Sequence, residues 1–78
     1  MQREEIIEKL TPLVRKAFED PTLELADGQS AENVESWTSL EFMKLLSDIE
    51  QEFGFKFKMM ELLSLKNMGN IIDAISRH

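Results

Sequence analysis

Three features of the chain predict an all-α fold: a small four-helix bundle with a long loop between helices 1 and 2 and a short third helix. Apolar residues recur at helical spacing in separate segments. One of those segments carries both a start signal, Thr38 with Glu41, and a stop signal, Gly54. The chain has 78 residues and no cysteine, so residues 1–78 read as one domain held by packing, with no disulfide framework or thiolate zinc site. Such a core is marginal, because a short chain buries a smaller fraction of its surface than a long one.

In "EEIIEKLTPLVRKAFED" the residues Ile6, Ile7, Leu10, Leu13, Val14, Ala17 and Phe18 follow the helical period, which predicts a helix over 3–18. Pro12 interrupts it. Proline lacks the backbone donor and crowds the carbonyl of Glu8, so a kink or a restart is expected there. Thr11–Pro12 also reads as a cap followed by a first-turn proline. Residues 19–36 hold Pro21, Gly28 and many small or acidic residues, with no sustained period, and are expected to form a long loop. Loops of that length are uncommon in compact domains and are often functional. Leu23, Leu25 and Val34 are expected to pin it to the core.

The second helix, 39–53, has the clearest punctuation. Thr38 and Glu41 make the T-x-x-E capping box, and Trp37 and Phe42 have the spacing of a hydrophobic staple. Gly54 follows Phe53 as a left-handed terminator, with apolar Phe55 after it. Phe42, Leu45, Leu46, Ile49 and Phe53 fall on one stripe, the expected core face. Leu40, Met43 and Ser47 lie off it, on a flank that begins beside Ser39. Two readings of the flank stay open. It widens the buried stripe, or it is a docking patch beside a serine that the cap does not use. Further on, residues 59–63 suit a single helical turn. Asn67 can cap a final helix over 68–76, with Met68, Ile71, Ile72 and Ile75 inward and Gly69 weakening its first turn slightly.

The net charge of −6 is unevenly spread: +1 over residues 1–18, −9 over 19–52 and +2 over 53–78. An acidic middle repels nucleic acid and suits partners with basic docking surfaces, although acids also serve plain solubility. No apolar run approaches the roughly 20 residues of a membrane span. No signal-peptide core opens the chain, so a cytoplasmic protein is expected. His78, the only histidine, reads as a frayed tail and not a metal ligand or base. "DGQSAENVE" fails the spacing of a calcium loop, and no phosphate loop or dinucleotide fingerprint occurs. Glu50 and Glu52 have no nucleophile or base to work with and read as a solvated helix face. The five methionines read as core filler, with Met43 as adaptable contact surface. No residue set supports catalysis, and no metal site is expected.

Ser39 remains. Its hydroxyl sits at a helix N-terminus, where free N–H groups and the macrodipole favour negative charge. A phosphodiester would be tolerated there, and the preceding loop leaves room for a modifying enzyme.

"WTSLEFMKLLSDIEQEFGFKF" resembles the central motif of acyl carrier proteins of the stand-alone specialised type, W-D-S-L followed by a helix ending E-x-E-F-G-I-x-F. The upstream "EDPTLELADGQSAENVESW" and downstream "LLSLKNMGNIIDAI" resemble the same family, so the likeness spans about residues 6–76. It implies a four-helix carrier fold, and it implies that Ser39 receives 4'-phosphopantetheine from coenzyme A through a magnesium-dependent phosphopantetheinyl transferase. The arm's thiol would hold acyl groups as thioesters in fatty acid, polyketide or specialised biosynthesis, making the chain a phosphoprotein and a monomer. Carried over by position, Leu40, Met43, Ser47, Glu50 and Gln51 would face the acyl-loading and acyl-processing enzymes. Thr38 stands where the family has aspartate, and Lys44 where it favours an acid. Both lower the acidity of the docking surface and imply a dedicated partner set. The alternative is a carrier-like helical interaction module that never receives an arm.

Overall fold

Helix α1 spans Arg3–Ala17, α2 Ser39–Phe53, α3 Met59–Ser64 and α4 Met68–Ser76 in the computed structural model, which describes residues 1–78. α1 buries Ile6, Leu10, Val14 and Ala17, one residue per turn on a single face. It packs that face against α2 and α4. α2 contributes fully buried Leu45 and Ile49, with Phe42, Leu46 and Phe53 half-buried beside them. α4 is the most buried helix, enclosing Met68, Ile71, Ile72, Ala74 and Ile75.

The restart expected at Thr11–Pro12 does not occur, because α1 continues through Pro12. Thr11 lies inside the helix and its hydroxyl donates to the Ile7 carbonyl at 2.6 Å, so it bonds back along the helix and caps nothing. The carbonyl of Glu8 loses its helical donor, but Glu8 is on the exposed face, where water can serve it. The helix then ends in a Schellman arrangement. The Asp20 N–H donates to the Arg15 carbonyl at 3.0 Å and the Glu19 N–H to that of Lys16 at 3.3 Å. Glu19 takes the left-handed conformation, φ 53°, that glycine more often fills.

The long loop is an ordered strap. Leu23, Leu25 and Val34 pack against the core, as expected. Arg15 Nε donates to the Leu23 carbonyl at 2.8 Å. The Gln29 side chain spans the loop, donating to the Glu24 carbonyl at 2.8 Å and accepting from the Ala26 N–H at 3.0 Å. The strap also clasps the start of α4. Met68 and Gly69 direct their N–H groups to the carbonyls of Gln29 and Asp27, at 2.8 and 3.1 Å. Two donors that a helix start leaves unpaired are thereby satisfied across the fold. A Cβ on Gly69 would stand 3.2 Å from Asp27 Cβ and 3.3 Å from the Asp27 carbonyl oxygen. Gly69 is therefore a close-approach residue as well as a weak helix former. Arg3 ties the same strap to α1 through an ion pair with Asp27.

Several surface readings change. Met59 and Met60 are exposed, so of the five methionines only Met68 is buried filler. His78 is anchored, not frayed. Its ring stacks on Phe55, centroids 4.1 Å apart and 5° from parallel, and its Nε2 lies 2.9 Å from the Glu61 carboxylate. Glu61 also accepts from the Lys58 N–H at 2.8 Å at the start of α3. The Lys58 N–H and then His78 hold the Glu61 carboxyl below its ordinary value of 4.5.

Candidate functional site

The backbone leaves the extended region at Thr38, φ −98°, ψ 167°, and enters α2 at Ser39. Thr38 Oγ1 accepts from the Glu41 N–H at 3.3 Å, which makes it the cap. The expected box is only half formed. The Thr38 N–H donates to the Ser36 carbonyl at 3.0 Å, so no donor remains for Glu41 to bind in return. The Glu41 carboxylate instead lies 3.9 Å from Lys44. The staple does form: Trp37 and Phe42 stack obliquely with centroids 5.5 Å apart, and Phe18 closes the other side of Trp37 at 5.3 Å. Trp37 is buried, so the residue immediately before the cap is locked into the core.

This arrangement presents Ser39. The side chain is exposed, and no intramolecular hydrogen bond engages its hydroxyl, because Thr38 does the capping. A free hydroxyl at the positive end of a 15-residue helix accepts an anionic substituent without losing a structural contact. A cleft opens beside it, with Trp37, Phe42 and Leu65 as apolar walls and Glu32 and Lys66 at its edge. The residues present thus fit a phosphodiester-linked group: a free nucleophile, a helix start and an open cleft with a cation.

On α2, Leu40 is 62% and Met43 68% exposed, and Ser47 and Gln51 are exposed with them. The flank is not part of the buried stripe. Glu50 differs from these four. It is half-buried, and its carboxylate accepts from the Phe57 N–H at 2.8 Å, fastening the turn after α2. It is thus not the solvated acid that its sequence position suggests. α3 adds exposed Met59, Met60 and Leu63. Sequence reading missed these because a six-residue helix is too short to display a period. A cluster of consecutive apolar residues in so short an element was the available signal.

The family described as "phosphopantetheine attachment site" matches residues 8–75. Comparison with curated proteins returns no significant match. Among solved structures, the solution structure of the holo acyl carrier protein from Geobacter metallireducens is similar. It matches with a TM-score of 0.83 and 34% sequence identity, over 91% of this chain and 82% of that one. A family match over most of the chain, a shared fold and that level of identity place the chain in the acyl carrier protein family.

Proposed function

We propose that Ser39 is the attachment point of the phosphopantetheine that this family carries covalently, and that residues 1–78 act as one carrier domain. The observation that carries the reading is the division of labour at the start of α2. Thr38 caps the helix at 3.3 Å, and the adjacent Ser39 hydroxyl is exposed and unengaged. In the modification the Ser39 oxygen forms a bond to phosphorus and the pyrophosphate bond of coenzyme A breaks. The serine proton passes to the transferase, and adenosine bisphosphate leaves. Once attached, the arm supplies a thiol that holds acyl groups as thioesters. The chain itself does no catalysis. It holds the attachment oxygen at a helix N-terminus that tolerates the anion, and it presents α2 to partners.

Leu40, Met43, Ser47 and Gln51 form the partner-facing flank in this reading. Glu50 lies at its border with one carboxylate oxygen engaged internally. The acidic stretch 19–52 steers the domain to transferases and acyl-handling enzymes with basic surfaces. A monomer working in the cytoplasm, in fatty acid, polyketide or specialised biosynthesis, is the setting this reading favours. No helix is long and apolar enough to cross a membrane. The arm-free interaction module is not favoured by the family match. Incubation with a transferase and coenzyme A, followed by intact-mass measurement, tests the assignment. One phosphopantetheine is expected on the wild-type chain and none on Ser39→Ala. Addition that survives Ser39→Ala refutes it.

A further inference from the structure

We infer that α3 is a contact surface for anionic phospholipid: Met59, Met60, Leu62 and Leu63 enter the interfacial layer of a bilayer, and Lys56, Lys58 and Lys66 lie on its headgroups. This contact is separate from the attachment at Ser39. α3 is turned inside out. At about 100° per residue, Leu62, Met59, Leu63 and Met60 fall on one arc of roughly 160°, and Glu61 stands opposite its middle. In an ordinary surface helix the apolar arc faces the core. Here α3 buries no residue: Met59 is 71%, Met60 79%, Leu63 69% and Leu62 38% exposed. Glu61 faces inward instead, with its carboxylate 2.9 Å from His78 Nε2 and bonded to the Lys58 N–H. The helix is held by its ends, through buried Phe57 and Leu65.

Exposed lysines bracket this arc, Lys56 and Lys58 before it and Lys66 after it. None of them makes an ion pair, but neither do Lys9, Lys16 and Arg77, so it is their place beside the apolar arc that distinguishes them. Lys66 shares its cleft with Glu32, which offsets part of its charge. Glu50 is half-buried and bound to the Phe57 N–H, so between residues 50 and 66 three exposed cations face one exposed acid, Glu52. The surface therefore suits an anionic occupant. A second copy across a two-fold axis would set lysine against lysine. No cavity of the domain is lined by Met59, Met60, Leu62 or Leu63, so the face offers no recess for a partner's side chain. A bilayer interface needs none: it takes an apolar arc of flexible side chains, with lysine stems reaching up to the phosphates. The rest of the domain is acidic, but the molecule measures 28 × 24 × 21 Å and its repulsion is screened over about 8 Å at physiological salt. Contact through so short a helix is reversible, and each lysine near the surface strengthens it about fivefold.

The test uses the unmodified chain and vesicles of phosphatidylcholine with or without phosphatidylglycerol, at millimolar lipid, with bound protein read by co-sedimentation. The wild type should bind the phosphatidylglycerol vesicles at low salt and be released as salt is raised. Lys58→Gln should weaken binding about fivefold, and Met60→Ser about tenfold through lost apolar burial. Lys9→Gln removes an equally unpaired cation on α1 and should change binding less than about twofold. All these residues are exposed, so the variants keep the fold, which circular-dichroism melting checks. Leu63→Ser repeats the apolar test at a second exposed position. No binding to phosphatidylglycerol vesicles overturns the lipid contact and leaves the face to a protein partner. Equal binding to pure phosphatidylcholine, or equal weakening by Lys9→Gln and Lys58→Gln, overturns the role of the bracketing lysines. Binding unchanged in both Met60→Ser and Leu63→Ser overturns the apolar contact. Ser39→Ala should bind as the wild type does, so the lipid contact and the attachment at Ser39 stand or fall separately.

Discussion

Replacing each of the two adjacent hydroxyls separates capping from carrying. Thr38 makes one capping bond, at the long distance of 3.3 Å, and the reciprocal bond from Glu41 is absent. Its loss belongs in the lower half of the range for caps, about 0.5–1 kcal/mol. For a domain of this size that lowers the melting temperature by roughly 2–8 °C. Ser39 loses no hydrogen bond on becoming alanine, and alanine is the better helix former by a few tenths of a kcal/mol, about 0.5 at most. Ser39→Ala should therefore melt at the wild-type temperature or slightly above, while accepting no phosphopantetheine. Thr38→Ala should melt lower and still be modified, more slowly. Thr38→Asp keeps a capping oxygen and adds favourable charge at the helix start. It also restores the residue the family uses, so it should hold stability and speed modification by a general transferase. Thermal melting by circular dichroism, with intact mass on the same samples, reads both quantities. If Ser39→Ala is the destabilising variant, Ser39 is the cap and the register of α2 is wrong by one residue.

Other perturbations follow from the same structure. Leu45→Ala and Ile49→Ala, at fully buried sites, should each cost about 2–5 kcal/mol in denaturant unfolding. Leu40→Ala and Met43→Ala should cost less than about 1 kcal/mol and weaken partner binding instead; equal losses at all four sites would make the flank ordinary core. Gly54 is left-handed at φ 74°, so Gly54→Ala should cost about 1 kcal/mol although a Cβ there meets nothing, whereas Glu19→Gly should be neutral or stabilising. The Glu61 carboxyl is held low in the folded state, so its contribution is complete above its ordinary value of 4.5 and drains as pH falls through the lower folded value. An acid titration of stability should show that loss in the wild type and a smaller one in His78→Ala; identical profiles would show that the His78 contact does not matter to it.

Residue order alone was enough for the local punctuation of α2 and α4, though not at Thr11–Pro12, where α1 runs on, nor for the Glu41 half of the capping box. Thr38 before a helical stripe, Gly54 after it and Trp37 against Phe42 are choices made within a few residues, and each formed as spacing required. The boundaries of α2 and α4 were legible for the same reason, and so was the exposure of Ser39, whose neighbour takes the capping duty. Contacts between distant segments were not legible. Nothing near Gly69 reveals that the Asp27 carbonyl will accept from its N–H at 3.1 Å and leave no room for a Cβ. Glu50 looked like a solvated acid until the chain turned and brought the Phe57 N–H to its carboxylate. His78 looked free until Phe55 and Glu61 arrived from two other elements. Capping and periodicity are decided by backbone groups a turn apart, so sequence spacing measures them directly. A clasped helix start, an internal carboxylate bond and a stacked imidazole depend on where separate elements meet, and only the packing of the core sets those positions.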